Sequence, residues 1–374
     1  MKVCAQPKRP PGPRRCPGLR VPGFAVLGAL EARETPPPTK VCILPRVTLL
    51  LTLLSVFAAG IPMLTFLGIL WWLDRNDREP LWLFGLVFMW GVIGSIFTAL
   101  VGSEVLSHPL TWVLGPRLAD QWSAVLIAPI AEEPAKAAIL FAVMFSRHFD
   151  NAADGFVYGA AAGLGFGMTE NFLYFLMVAS DGDAASWVMT VVIRTFFSAM
   201  MHACATACVG AALGFARFRG WFAKLLCVPV GFACAIGMHA LWNGMLTLSE
   251  AFGAPDLSLL NFGLFMGEFI IVFALFQLAL WDERATIRKE LAEEVNLGVL
   301  PVTHASAIAS TFKRGGGHWL PAGVPRWPYV RAVVTLAIRK HQSRNSSGST
   351  HAFFADEVLR LRAEVKGLQA LARG

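Results

Sequence analysis

The sequence predicts an all-α, polytopic membrane protein with about seven transmembrane helices. Three observations carry that prediction. Hydrophobic residues make up 55% of the 374 and charged residues only 15%, where a soluble domain averages roughly a quarter charged. The apolar residues are gathered into long blocks, and a bilayer core about 30 Å thick takes about 20 helical residues to cross at about 1.5 Å each. The alternating pattern of a membrane barrel, the other backbone that hydrocarbon tolerates, is absent. An ordinary cytosolic enzyme is thereby excluded. The net charge of +7 does not point to nucleic acid, because nine of the 32 Lys and Arg lie in residues 1–46 and fourteen in 282–374. Charge in those tails reports membrane topology rather than a partner.

The seven segments, in order, are 47–73, 80–103, 121–146, 155–180, 187–216, 225–249 and 257–281. The first two are free of charge. The third holds Glu132, Glu133 and Lys136, the fourth Glu170, the fifth Arg194 and His202, the sixth His239 and the seventh Glu268. Loops one, three and five carry Arg75, Arg78, Arg147, Arg217, Arg219 and Lys224, whereas the even loops carry Arg117 among six acidic residues. By the positive-inside rule the odd loops are cytoplasmic and the tail from Asp282 is cytoplasmic too. The N-terminus is then outside, which its nine basic residues oppose. That stretch, with Pro10-Pro-Gly-Pro-Arg-Arg15 and Pro36-Pro-Pro38, reads as a disordered tail over 1–46, and a start near Val41 or Val47 would remove the conflict. Seven cysteines suggest no disulfide framework. Cys204, Cys208, Cys227 and Cys234 read as small packing residues, with Cys204 and Cys208 beside His202 as metal ligands the weaker alternative.

The ionisable residues inside the spans carry the functional information, since each costs several kcal/mol in hydrocarbon unless it meets a polar cavity. Counted from the outer ends of their helices, Glu132, Glu170 and His239 all lie about 15 Å deep. Glu132 and Lys136 are four apart and Glu133 and Lys136 three apart, so Lys136 can neutralise one carboxylate and leave the other to act as a base. Glu170 with Tyr174, and His239 with Asn243, share helical faces. Arg194 and His202, eight apart, sit about two turns from one another. A base, two imidazoles and donors suited to an oxyanion are the parts that activate water against a carbonyl, so hydrolysis is the expected chemistry. A proton- or ion-coupled transporter is the rival reading, although no inverted repeat or pair of broken helices stands out, and an inert membrane scaffold is a third.

Ala131-Glu132-Glu133-Pro134-Ala135-Lys136, Phe166-Gly-Met-Thr-Glu170-Asn171-Phe-Leu-Tyr174, Arg194 followed by His202-Ala203, and His239-Ala-Leu-Trp-Asn243 resemble the four motifs of the PrsW family of intramembrane proteases. The resemblance spans about residues 60 to 300 and includes Asp74-Arg-Asn-Asp-Arg-Glu-Pro80. PrsW proteins are related to type II CAAX prenyl proteases and bacteriocin-immunity proteins, in which the second motif ends in histidine where this chain has Glu170. The resemblance implies cleavage of a membrane-tethered protein, such as an anti-sigma factor in stress signalling. It implies Glu132 as general base, Glu133 as its partner held by Lys136, and Asn243 as oxyanion donor. His202 and His239 would bind a metal or share in proton transfer, with Asn171, Tyr174 and Arg194 in support. Zinc on Glu170, His202 and His239 with one open position, or a metal-free glutamate mechanism, would both use these residues. The His-Glu-x-x-His helix of soluble zinc proteases is absent.

After residue 281, a charged helix over 282–297 continues the last span, 313–328 is rich in glycine and proline, and 343–350 reads as a flexible linker. Phe354, Val358, Leu361, Val365 and Leu368 then repeat as the seam of two heptads. Such a helix packs on the cytoplasmic loops, forms a homodimer, or contacts anionic lipid.

Overall fold

A computed structural model describes residues 46–74, 79–146, 148–314, 316 and 318–373. The basic N-terminal tail with its expected late start, and residues 75–78 of the motif after the first span, lie outside the described residues. Among the described residues all regular structure is helical. The long helices are α1 (Arg46–Leu73), α2 (Leu81–Leu114), α3 (116–143), α4 (Ala152–Ser180), α5 (Ala184–Arg217), α6 (Trp221–Phe252) and α7 (Pro255–Asn296). They cover the seven apolar segments. By length and composition α1, α2, α5, α6 and α7 can each cross a membrane. The other two, α3 and α4, carry the carboxylates of the third and fourth segments, which is why composition alone scores them lower.

Two boundaries differ from the expected ones. The second span does not stop at Ser103 but continues to Leu114, and the third begins at Pro116 rather than near 121. Glu104 and His108, expected in a loop, face one another on a helix at 3.7 Å. The loop shrinks to Gly115, whose φ of 77° is readily adopted only by glycine, and Pro116 at the first helical position needs no amide donor.

Three helices are locally wound more widely, as π turns, at Trp90–Ser95 in α2, Ser123–Ile127 in α3 and Arg194–Ser198 in α5. Such turns insert one residue into the helical ladder and shift the phase of all that follows.

Helix α4 is the axis of the bundle, with α5, α1 and α2 against it. Gly155, Gly159 and Gly163 recur every four residues and lie against α5 so closely that a Cβ would stand 2.0 Å from the Gly210 carbonyl oxygen, 2.4 Å from that of Thr206 and 2.3 Å from that of His202, respectively. On another side of α4, a Cβ on Gly165 would stand 2.2 Å from the Phe88 oxygen of α2. In a membrane, where lipid tails are as apolar as leucine, close backbone approach supplies the dispersion contact that holds helices together. The outward faces of α1, α2, α6 and α7 carry exposed Leu, Ile, Val, Phe and Trp, such as Leu50, Phe97, Trp221 and Ile270. That is the surface a lipid environment requires.

The last helix of the bundle runs on for 42 residues, about 63 Å, well past any bilayer. Its charged half joins α8 (Val302–Ile308), α9 (Thr311–Arg314), α10 (Arg326–Arg344) and α11 (Gly348–Ala370) around a second core of Ile287, Leu291, Val333, Leu336 and Val365. The expected flexible linker over 343–350 reduces to the short link between α10 and α11. Phe354, Val358, Leu361 and Val365 are buried in the chain's own fold, so the heptad seam is closed by intramolecular packing and is not offered for a homodimer. Arg339 Nη1 and Gln342 Nε2 meet Asp150 Oδ1 at 2.9 and 2.6 Å, tying α10 to the turn before α4.

An ion network fastens this domain to α7. Lys340 Nζ lies 2.8 Å from Glu294 and 3.1 Å from Glu293, Arg344 pairs with Glu293, and Arg362 forks onto Glu294. Hydrogen bonds from Arg344 and Lys340 hold the Glu293 carboxyl down to about 2 from the usual 4.5. Burial pushes Glu294 upward, but Arg362 and Lys340 outweigh it and leave it low as well. Carboxylates depressed in the folded state stabilise it above their unfolded pKa and lose that contribution as pH falls toward the folded value. A separate contribution from His341 of α10, whose pKa burial lowers, is drawn down as pH falls below 6.5. Docking of α10 on α7 is then expected to lose the contribution of these carboxylates between about pH 4.5 and 2. Amide exchange over 326–344, corrected for intrinsic rate, should accelerate in that window in the parent. Exchange that does not accelerate between pH 4.5 and 2 would contradict this account.

Candidate active site

Four helices bring their ionisable side chains to one buried centre. On α3, Glu133 is fully buried and accepts from Lys136 Nζ at 2.8 Å, from Thr206 Oγ1 of α5 at 3.3 Å, and faces His239 Nδ1 of α6 at 2.8 Å. Glu132 is different. Its side chain keeps 14% of its exposure, and its Oε2 lies 3.2 Å from Lys136 Nζ and 3.8 Å from His239 Nε2. The fully buried Lys136 also reaches His202 Nδ1 at 2.9 Å, with its ammonium 3.9 Å from the centre of the Phe166 ring. A single buried cation thus stands among two carboxylates and an imidazole, which offsets much of the cost of burying them.

On α4, Glu170 Oε2 meets both His202 Nε2 and Arg194 Nη2 at 2.7 Å. Arg194 Nε donates to Asn171 Oδ1 at 3.1 Å while Asn171 Nδ2 returns a bond to the Arg194 carbonyl at 3.3 Å. The guanidinium stacks 3.5 Å above the Tyr174 ring. The two imidazoles sit edge to face, 4.9 Å between centroids. Asn243 stands one turn beyond His239, but its Nδ2 donates to the Ala124 carbonyl of α3 at 2.8 Å. In this structure that amide is engaged by backbone rather than aimed at the cavity.

A small cavity of about 40 Å³, room for a few waters, opens beside the centre. Glu132 and Glu170 line it with Phe166 and Leu173, and α2 closes it through Ala99, Leu100 and Ser103. The expected bundle of helices three to six therefore has a wall from helix two that sequence reasoning missed. Thr206 and the glycine repeat of α4 were missed as well. The repeat of Gly155, Gly159 and Gly163 every four residues was the available signal, and it sets how near Glu170 comes to His202.

The donors that converge are Glu132, His202 and His239, whose ligand atoms lie within 4.8 Å of one another. This corrects the zinc set of Glu170, His202 and His239, because the Glu170 oxygen is shared between Arg194 and His202. One carboxylate with two imidazoles is a donor set that zinc takes. His239 is backed by Glu133 at Nδ1 with Nε2 turned toward Glu132, the outer arrangement typical of metal-binding histidines, whereas His202 meets Glu170 through Nε2 and has Lys136 Nζ beside Nδ1. The residues present fit a metal. Cys204 and Cys208 are buried against Val272 and lie outside that converging set.

A helical bundle with lipid-facing flanks and a buried glutamate–histidine–lysine centre opening on a water-sized cavity defines a hydrolase that works inside the membrane. The chain belongs to the PrsW family of intramembrane metalloproteases, whose family model matches residues 79–278. It is similar to a protease PrsW of Geobacillus kaustophilus (strain HTA426), 27% identical over 229 residues that cover 61% of this chain and 88% of the relative. A protease PrsW of Bacillus subtilis (strain 168) is 24% identical over 213 residues, 52% of this chain and 83% of the relative. No solved structure matches the chain. Membership of this family makes the protein a protease and sets aside the carrier and scaffold readings.

Proposed function

We propose that this protease hydrolyses a peptide bond in a membrane-tethered protein, with Glu132 activating the water. The observation that carries this reading is the contrast between the paired carboxylates: Glu133 is enclosed by Lys136, His239 and Thr206, whereas Glu132 lines the cavity where water and a carbonyl can meet. Glu132 Oε2 is the oxygen near Lys136 and His239, which leaves Oε1 for the proton of the attacking water. Glu133 holds the His239 ring through Nδ1 so that Nε2 faces Glu132, and Glu170 holds the His202 ring through Nε2 so that Nδ1 faces Lys136. Lys136 balances the charge of the carboxylates through the reaction. Zinc held by Glu132, His202 and His239 would supply Lewis-acid polarisation of the scissile carbonyl. An anti-sigma factor in stress signalling is the kind of tethered substrate we propose, with the tail from Asp282 on the cytoplasmic side, as the arginine bias of the odd loops favours.

Purified protein in liposomes should cleave a tethered substrate and contain about one zinc per chain by elemental analysis. Chelation should abolish cleavage and zinc should restore it. His202→Ala and His239→Ala should each lose the metal while remaining folded. Full activity in metal-stripped protein would remove zinc from the scheme and leave the glutamate base.

A further inference from the structure

Each of the three widened turns is met by a polar side chain from another helix. In α3 the Ala128 amide bonds five residues back to Ser123, so the Ala124 carbonyl loses the donor that a regular helix would give it. Asn243 Nδ2 of α6 fills that vacancy at 2.8 Å. In α2 the Ile96 amide bonds to Ile93, which frees the Val92 carbonyl, and Thr169 Oγ1 of α4 donates to it at 2.7 Å. In α5 the Ala199 amide bonds five residues back to Arg194, and Asn171 of α4 clamps that residue at both its carbonyl and its Nε. Unpaired carbonyls in a membrane interior cost several kcal/mol, so the wide turns of α2 and α3 depend on their external donors. In α5 Asn171 adds a second bond to the Arg194 carbonyl, which the Ala199 amide already meets, and fixes the side chain of that residue.

The turns set the phase of the site. In a regular helix Arg194 and His202, eight residues apart, point about 80° away from one another, since each residue turns about 100°. One inserted residue makes them equivalent to a seven-residue spacing, about 20° apart, and both then reach the same Glu170 oxygen. The turn at Ser123–Ile127 likewise sets the rotation of the half of α3 that bears Glu132, and the one at Trp90–Ser95 that of the α2 segment closing the cavity.

We propose that Thr169, Asn171 and Asn243 are positioning residues of the protease, holding the three wide turns that bring Glu132, Glu170, His202 and Arg194 into register. This rests on the protease reading, and it moves Asn243 from an expected oxyanion donor to a clamp on α3. A displacement of about 1 Å at a reacting group can cost about a hundredfold in rate. Thr169→Val keeps shape and removes the donor. It should lower kcat about 10- to 100-fold with KM within about twofold, and speed amide exchange over 90–97 about tenfold or more. Thr169→Ser should restore both. Asn243→Leu should lower kcat similarly and speed exchange over 122–129 while leaving 90–97 as in the parent. Parent-like exchange in both donorless variants, or failure of Thr169→Ser to restore, would overturn the proposal. A kcat loss in Asn243→Leu with unchanged exchange over 122–129 would return Asn243 to the oxyanion. If the parent cleaves no tethered substrate, the protease reading fails, yet the exchange measurements still report on the clamps.

Discussion

Glu132→Gln is expected to reduce cleavage of a membrane-tethered substrate about a hundredfold or more while the protein stays folded. Glutamine keeps the shape of the side chain and can still accept from Lys136, but it cannot take a proton from water. Because Glu132 sits at the cavity wall with part of its side chain accessible, the substitution leaves no deeply buried charge unpaired. Glu133→Gln differs in kind. Its carboxylate, fully enclosed, is the closest counter-charge to the fully buried Lys136, and removing one partner of a buried pair costs about 3–5 kcal/mol. That variant should therefore lower the melting temperature in detergent markedly, with activity lost as a consequence. Kinetics and melting measured on the two variants side by side separate the roles. Undiminished cleavage by Glu132→Gln would move the base to Glu133.

Gly163→Ala is expected to be nearly as damaging, although it removes no reactive group. The added methyl would stand 2.3 Å from the His202 carbonyl oxygen and 2.7 Å from the Ala203 Cα. Both obstacles are backbone, so no side chain can turn aside and α4 must move off α5. Overpacking of this sort costs about 1–3 kcal/mol. Here the shift also carries Glu170 away from His202, which it holds at 2.7 Å, and a misplacement of about an ångström would cost about a hundredfold in kcat. Gly237→Ala in α6, where nothing lies within 4 Å of an added Cβ, is the matched control and should behave as the parent. Measured kcat and melting temperature of Gly163→Ala equal to those of the control would disprove the account of the seam.

The sequence by itself determined that the protein is helical and membrane-embedded, where its seven apolar segments lie, and that the ionisable residues of the third to sixth belong together. Those conclusions rest on the length of apolar runs and the cost of burying charge, which act residue by residue whatever the neighbours are. The distinction between Glu132 and Glu133 was beyond it, because adjacent residues on one helix are told apart only by what α5 and α6 place against them. The hold of Arg194 and His202 on one Glu170 oxygen was hidden for a related reason. Helical arithmetic assumes an unbroken period, and the wide turn at Arg194–Ser198 changes the phase by about 100°. The bonds that support such a turn come from residues far away in the chain, Asn171 for this one and Asn243 and Thr169 for the others. The heptad seam of α11 obeys the same logic. Its periodicity announced a buried face, and only the fold settled that Ile287, Leu291 and Val333 of the same chain cover it.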